Sequence, residues 1–137
     1  MKQDDVDIGL IGDGDIAAGL NAADPNSDRD MLIGIGAAPE GVIMATALKG
    51  LGAPFEGRLV FKNEGHRERA EQMIDGDIDR IWARDELCSS DDSMFIGSGV
   101  CTRRTKGVEI LADGRASVHS EIIDVNSGEH YYVSSVR

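Results

Sequence analysis

Three carboxylates stand directly after apolar runs in the first 40 residues of the sequence. Asp13 and Asp15 follow the run at 6–12, and Glu40 follows the run at 31–38. If both runs are parallel strands, their carboxyl ends meet at one edge of a sheet, and the three side chains converge there. Carboxylate oxygens are the ligands that Mg²⁺ and Mn²⁺ prefer. The spacing therefore predicts a divalent-metal site at this edge.

The same carboxylates also fit a purely structural role. Asp13 and Asp15 stand at the start of a predicted helix, where they can cap its N-terminus. Glu40 stands in the first turn of the next predicted helix and interacts favourably with the helix dipole, by about 0.3–1 kcal/mol. The metal-site interpretation adds that backbone N–H groups at 36–38 are suited to binding a phosphate. Both interpretations stay open at the level of these residues alone.

A third interpretation is a dinucleotide site. Gly12-x-Gly14-x-x-Ala17 matches the fingerprint that follows a strand and opens a helix in dinucleotide-binding folds. Asp13 and Asp15 count against it, because carboxylates inside this turn repel a pyrophosphate. They suit hydrogen bonds from sugar hydroxyls or a nearby cation better.

Other polar groups give weaker signals. The segment 24–30, DPNSDRD, begins like a calcium loop, but Arg29 replaces the required glycine and Ile35 replaces the bidentate glutamate, so we predict a polar loop. The three histidines belong to no recognisable catalytic motif and are interpreted as surface or structural residues: His66, His119 and His130.

The elements that must position these residues are predicted from apolar periodicity. The first 52 residues alternate between strand and helix, which predicts a layered α/β sandwich with right-handed crossovers. The predictions there are strands at 6–12 and 31–38 and helices at 16–23 and 40–49. Next come strands at 57–61, 80–82 and 93–100, a charged helix at 64–74 and a helical turn at 85–88. The last three runs alternate apolar and polar residues between turn signals, which predicts antiparallel strands at 107–111, 116–125 and 130–136.

Composition limits the function classes. A chain of 137 residues with 41% hydrophobic residues is predicted to form a single domain, 1–137. Its net charge of −11 argues against nucleic acid or an anionic membrane as a partner. The start, MKQDDVD, does not resemble a signal peptide, and Cys88 and Cys101 fit no metal spacing. We therefore expect a cytoplasmic protein with reduced thiols.

Four stretches together carry a family resemblance: GDGDIAAGL, DMLIGIGAAPEGVI, ALKGLG and GRL. Their order and spacing resemble the C-terminal half of the class II fructose-1,6-bisphosphatases, including the cyanobacterial bifunctional fructose/sedoheptulose bisphosphatases. The resemblance implies an inositol-monophosphatase-like fold with a mixed sheet. It also implies hydrolysis of the 1-phosphate of fructose 1,6-bisphosphate, in gluconeogenesis or the Calvin cycle, with Mn²⁺ or Mg²⁺ as cofactor.

The resemblance also implies roles for five residues. Glu40 takes the role of a metal ligand near the scissile phosphate. Asp13, Gly14 and Asp15 take the role of the segment that binds the sugar. Ala37 matches a backbone contact to the substrate, at a position where glycine is common in the family. The catalytic residues stay unknown.

Two departures from the family pattern qualify this expectation. The family's N-terminal half, with most metal ligands and an Asp-Pro-x-Asp-Gly-Thr motif, has no match here, and Thr102-Arg103-Arg104-Thr105 replaces Thr-x-Gly-Asp. We therefore expect half of a bisphosphatase, inactive alone, with an apolar face for the missing N-terminal half or for a second copy. The rival predictions are a non-catalytic module that binds sugar phosphates and a Rossmann-like dinucleotide binder.

Overall fold

A computed structural model describes residues 6–137. The first five residues of the MKQDDVD start, which does not resemble a signal peptide, lie outside the described residues. The helices are α1 (Asp15–Ala22), α2 (Ala38–Gly50), α3 (Glu64–Met73) and α4 (Arg84–Leu87). The strands are β1 (Glu56–Gly57), β2 (Trp82–Ala83), β3 (Met94–Ser98), β4 (Glu109–Ile110), β5 (Ala116–Asp124) and β6 (His130–Val136). No helix in this part of the chain has both the length and the apolar character needed to cross a membrane.

Antiparallel pairing builds both sheets of the described chain. β1 and β2 form a two-stranded ribbon. In the four-stranded sheet, β5 is central: β6 runs along one edge, and β3 and β4 share the other. The α/β class and the antiparallel strands near the end of the chain are thus confirmed.

Local signals explain where the helices begin. Pro39 stands in the first turn of α2, where its missing N–H is not needed. The Asn63 side chain caps α3 by accepting a hydrogen bond from the His66 N–H at 3.0 Å. At α4, the Glu86 carboxylate accepts one from the Ala83 N–H at 2.9 Å. The predicted helices at 16–23, 40–49 and 64–74 and the turn at 85–88 agree with α1 to α4 within three residues at every boundary.

The core lies where α1 and α2 meet the four-stranded sheet. Close approach at glycines makes this packing possible: a Cβ on Gly50 would lie 2.5 Å from Cγ2 of Ile123, and one on Gly19 would lie 2.6 Å from Sδ of Met44. The buried cluster consists of Leu20, Met44, Ala47, Leu48, Phe95 and Ile123.

The predicted parallel strands at 6–12 and 31–38 are wrong for the structure described. Residues 6–12 and 31–37 lack regular secondary structure and pair with no described strand, and residue 38 already belongs to α2. Most of their apolar side chains face solvent: Leu10 is 94% exposed and Ile33 is 87% exposed, whereas Leu32 packs against the core. A run that is apolar on both faces indicates a strand between two covering layers, and such a strand forms only beside neighbouring strands. The described residues supply no such neighbours, so the predicted mixed sheet with crossovers is absent there.

Two smaller corrections concern the other short strands. The run at 57–61 forms a strand only at Gly57, and the run at 80–82 only from Trp82 onwards. β1 and β2 pair with each other over two residues each, so the rest of each run has no strand partner. The inositol-monophosphatase-like sandwich and the single domain over 1–137 stay predictions.

Candidate functional site

A cleft of about 300 Å³ opens beside the first turns of α1. One wall is α1 with the residues just before it, and the other is the loop between β3 and β4, residues 99–108, which we call the arginine loop. Ligand sites for small molecules begin at about this volume. The cleft is lined by Ile11, Asp13, Gly14, Ala17, Ala18, Asn21, Arg103 and Arg104.

Gly14 shapes the mouth of this cleft. It precedes α1 with φ of 82° and ψ of 35°, in the left-handed region that disfavours residues with a Cβ. It also contributes no side chain to cap α1, so the first backbone N–H groups of the helix have no cap from this position. The glycine therefore leaves room for a group to approach the start of α1.

Asp13 and Arg103 face each other across the opening. Arg103 Nη2 lies 3.0 Å from Asp13 Oδ1, and the two side chains are 63% and 75% exposed. Ion pairs this exposed contribute about 0–1 kcal/mol, since water screens the charges and two long side chains lose freedom. The pair can therefore open at little cost when a ligand arrives.

Arg104 and Glu121 form a second, very different ion pair at the floor. Arg104 Nε donates to both carboxylate oxygens of Glu121 at 2.9 Å, and Nη2 lies 2.8 Å from Oε1. The Arg104 and Glu121 side chains are 8% and 2% exposed. A multiply bonded guanidinium–carboxylate pair fixes both groups in position.

Further hydrogen bonds complete the surroundings of this buried pair. His130 Nε2 lies 2.8 Å from Glu121 Oε1, the Tyr132 hydroxyl donates to the same oxygen at 3.2 Å, and Arg104 Nη1 donates to Asn21 Oδ1 at 2.8 Å. Among the described residues, every buried side-chain nitrogen and oxygen has a hydrogen-bond partner. The network therefore joins α1, the arginine loop, β5 and β6.

The electrostatics of the network favour its charged form. Burial raises the pKa of the Glu121 carboxyl, but the Arg104 hydrogen bonds and charge outweigh burial, and the pKa ends below its usual value of 4.5. Burial lowers the pKa of Arg104, and Glu121 again outweighs it, so this pKa is raised. For Tyr132, burial and the Glu121 charge both raise the pKa of the hydroxyl. Glu121 is therefore ionised and Arg104 charged at neutral pH.

The remaining predicted site residues lie on the neighbouring segment. Asp15 does not line the cleft: its Oδ2 lies 2.9 Å from where a Cβ of Gly36 would be, so the carboxylate faces the segment that leads into α2. Ala37 is the N-cap of α2, and Glu40 lies in its first turn. Both are exposed. The structure thus brings Asp13 and Gly14 into the cleft and places Asp15 against the segment that carries Ala37 and Glu40.

The expected convergence of carboxylates does not produce a metal centre by itself. Within residues 6–137, no three side chains of His, Cys, Asp or Glu are grouped so that they could hold a metal ion. Glu40 has the oxygen chemistry that Mn²⁺ and Mg²⁺ prefer, but one carboxylate is too few for a site. Metal binding through Glu40 therefore stays a prediction.

Sequence reasoning missed the two arginines that line the cleft, Arg103 and Arg104, and the buried Glu121 that pairs with Arg104. The arginines stood out only as a departure from a family pattern. Glu121 carried a usable signal: it occupies an inward-facing position of β5, two residues before the fully buried Ile123. A charged residue at such a position needs a buried partner of opposite charge.

Comparison with known proteins gives consistent results. The family described as bacterial fructose-1,6-bisphosphatase, glpX-encoded, matches residues 1–137. A D-fructose 1,6-bisphosphatase class 2/sedoheptulose 1,7-bisphosphatase of Synechococcus sp. (strain JA-3-3Ab) is 41% identical over 106 residues, which cover 68% of this chain and 30% of the relative. A D-fructose 1,6-bisphosphatase class 2/sedoheptulose 1,7-bisphosphatase 2 of Acaryochloris marina is 32% identical over 142 residues, covering 94% of this chain and 40% of the relative. The chain thus spans well under half the length of these relatives.

Proposed function

This chain belongs to the family of bacterial, glpX-encoded fructose-1,6-bisphosphatases, and from that membership we propose that it serves in hydrolysis of the 1-phosphate of fructose 1,6-bisphosphate. It would do so as the C-terminal half of the enzyme, in gluconeogenesis or the Calvin cycle. The observation that carries the proposal is the family match over residues 1–137, which includes Asp13-Gly14-Asp15 and Glu40. The cleft beside Gly14 supports it, because small polar ligands bind in such clefts.

Each predicted residue has a role in this proposal. Asp13 accepts hydrogen bonds from sugar hydroxyls at the cleft, and Gly14 lets the sugar approach the backbone. Asp15 and the Ala37 N–H contact the substrate from the neighbouring segment that leads into α2. Glu40 contributes one ligand to Mn²⁺ or Mg²⁺, which when bound neutralises phosphate charge and lowers the pKa of a water molecule.

The proposal also requires a further polypeptide region. Glu40 needs additional metal ligands, since the described residues offer no complete group. The apolar segments 6–12 and 31–37 are exposed along most of their length, with Ile33 at 87%. Exposed apolar surface of this kind marks a place where another surface packs. We infer that the N-terminal half of the enzyme, or a second copy of the chain, covers these segments, and that the chain alone is inactive or nearly so.

The test is phosphate release from fructose 1,6-bisphosphate with Mn²⁺. We expect no release from the chain alone and release after addition of the N-terminal half of the Synechococcus relative. Glu40→Gln should abolish that release because it removes a metal ligand. Glu64→Gln is the matched control, since Glu64 also lies in the first turn of a helix, and it should leave the rate unchanged. Release by the chain alone that disappears in Glu40→Gln would show that the site assembles without the other half.

A second candidate is a non-catalytic module that binds sugar phosphates. The observation in its favour is a formed cleft beside an incomplete metal site. Binding of fructose bisphosphate without turnover, even in the presence of the N-terminal half, would support it. The dinucleotide interpretation is weaker, because no strand precedes α1 in the described residues, as the fingerprint requires.

A further inference from the structure

We propose that Arg103 binds a phosphate group of the substrate and so determines specificity for phosphorylated sugars. This inference rests on the proposed function and adds a residue to it. Arg103 reaches over the mouth of the cleft: Nη1 lies 3.9 Å from the position that a Cβ of Gly14 would occupy. The guanidinium therefore lies directly above the start of α1, beside the cleft.

The present partner of Arg103 is one that a phosphate can displace. The Asp13 carboxylate holds Arg103 Nη2 at 3.0 Å, with both side chains mostly exposed. A phosphate monoester carries more negative charge than a carboxylate and accepts hydrogen bonds in the paired geometry that a guanidinium offers. Exchange of partners releases Asp13, which is then able to accept hydrogen bonds from the sugar hydroxyls.

The two arginines of the cleft differ in whether their guanidinium groups are available to a ligand. Arg104 is balanced by Glu121 at 2.8–2.9 Å and donates to Asn21, so it holds the floor of the cleft in shape. Within residues 6–137, the exposed Asp13 carboxylate is the only acidic group paired with Arg103. Arg103 is therefore the cationic group of the cleft that is available to an anion.

The arginine loop holds Arg103 in place before any ligand arrives. The Arg103 N–H donates to the Thr105 carbonyl at 3.1 Å, and the Gly107 N–H donates to Thr102 Oγ1 at 3.0 Å. A Cβ on Gly107 would lie 2.7 Å from the Thr102 nitrogen, so the two ends of the loop are in close contact. These contacts fix the backbone that carries Arg103, so the loop itself needs little further ordering when a ligand binds.

The start of α1 adds to the attraction for an anion. Gly14 gives no side-chain cap, and the helix dipole favours negative charge at this end. Asp15 opposes this effect, but its carboxylate faces Gly36 and does not line the cleft. Arg103 and the first N–H groups of α1 thus act on the same volume.

The experiment measures binding to the full chain by calorimetry, with fructose 1,6-bisphosphate and inorganic phosphate as probes. Arg103→Ala should weaken binding of both about tenfold or more, because it removes a charge-assisted contact. Arg103→Lys should recover part of the loss. The matched control is Arg115→Ala: Arg115 is 61% exposed and paired with Asp113 at 2.7 Å, so it removes an equivalent surface charge. This control should change binding by less than about twofold.

Asp13→Asn adds a readout with opposite signs. It removes the competitor for Arg103, so inorganic phosphate should bind a few-fold more tightly. It also removes an acceptor for sugar hydroxyls, so the preference for the sugar bisphosphate over inorganic phosphate should fall. Backbone amide signals of Gly14 and Arg103 should shift on titration with phosphate.

The outcomes separate this inference from the proposed function. Undiminished binding in Arg103→Ala, or no binding of either probe to the wild-type chain, would overturn the role of Arg103. If Arg103→Ala bound fructose 1,6-bisphosphate as tightly as the wild-type chain does, the role of Arg103 would be wrong and the proposed function would still stand. Phosphate binding that depends on Arg103, without preference for the sugar, would keep the anion site and count against the proposed function.

Discussion

The apolar residues of two regions have opposite surroundings. In the first region, segments 6–12 and 31–37, most isoleucine and leucine side chains face solvent, with Leu10 at 94% exposure, and only Leu32 among them packs against the core. In the second, the four-stranded sheet and the helix α2 packed on it, Ile123 is completely buried. The first region forms no strand, whereas the second pairs along the whole of β5.

This difference teaches that the proposed site lies where the open segments meet the packed part of the chain. Asp13, Glu40 and the other residues proposed to meet substrate and metal stand in or beside the open region. The sheet supplies Glu121, which fixes Arg104 and so the floor of the cleft. The sheet therefore fixes the floor of the cleft through Glu121, which does not itself line the cleft.

Removing the buried cation should have the largest effect. Arg104→Met leaves the Glu121 carboxyl buried without its main partner, and breaking a buried pair in this way costs about 3–5 kcal/mol. Chemical denaturation measures the free energy of unfolding. The exposed neighbour gives the control: Arg103→Met should change stability by less than about 1 kcal/mol.

A double variant tests the cause of that loss. Arg104→Met combined with Glu121→Leu removes both charges, and much of the lost stability should return. A double variant as unstable as Arg104→Met alone would mean that the network stabilises by shape and not by charge.

One substitution made in both regions gives the next largest effect. Ile123→Ala should destabilise by about 2–5 kcal/mol, since it opens a cavity in the core. Ile33→Ala, at a side chain that is 87% exposed, should change stability by no more than about 0.5 kcal/mol. Equal losses in urea titrations would contradict the contrast, because Ile33 would then be buried in solution.

A pair of glycines in α2 sharpens the comparison on a smaller scale. Gly50→Ala places a Cβ 2.5 Å from Cγ2 of Ile123 and should cost about 1–3 kcal/mol. Gly41→Ala meets nothing within 4 Å and should stabilise the helix by about 0.5–1 kcal/mol. Thermal melts of the two variants should move in opposite directions. A rise in melting temperature for both variants would show that α2 does not rest on β5 at Gly50.

Local patterns were enough to predict most elements of the fold. Pro39 and the polar–apolar alternation of 116–125 act within a few residues, and α2 and β5 appear where these patterns place them. The strands predicted at 6–12 and 31–38 failed because strand formation there depends on neighbours, which an apolar run cannot reveal.

The site was predictable only in its local parts. Asp13 and Gly14 stand next to each other in sequence, and both line the cleft. The bond from Arg104 to Asn21 joins residues 83 positions apart, and the bond to Glu121 crosses from a loop to a strand. Such pairings follow from tertiary packing, and spacing in a single sequence carries no record of them.

The composition of the core sets an order of events during translation. Leu20 and Leu48 leave the ribosome before Phe95 and Ile123, which complete the core around them. Domains fold as units, so α1 and α2 must wait for β5 before they have a surface to pack on. Asp13 is likewise synthesised before Arg103 and Arg104, which complete the cleft beside it. The nascent chain therefore carries residues of the proposed site before the site can form.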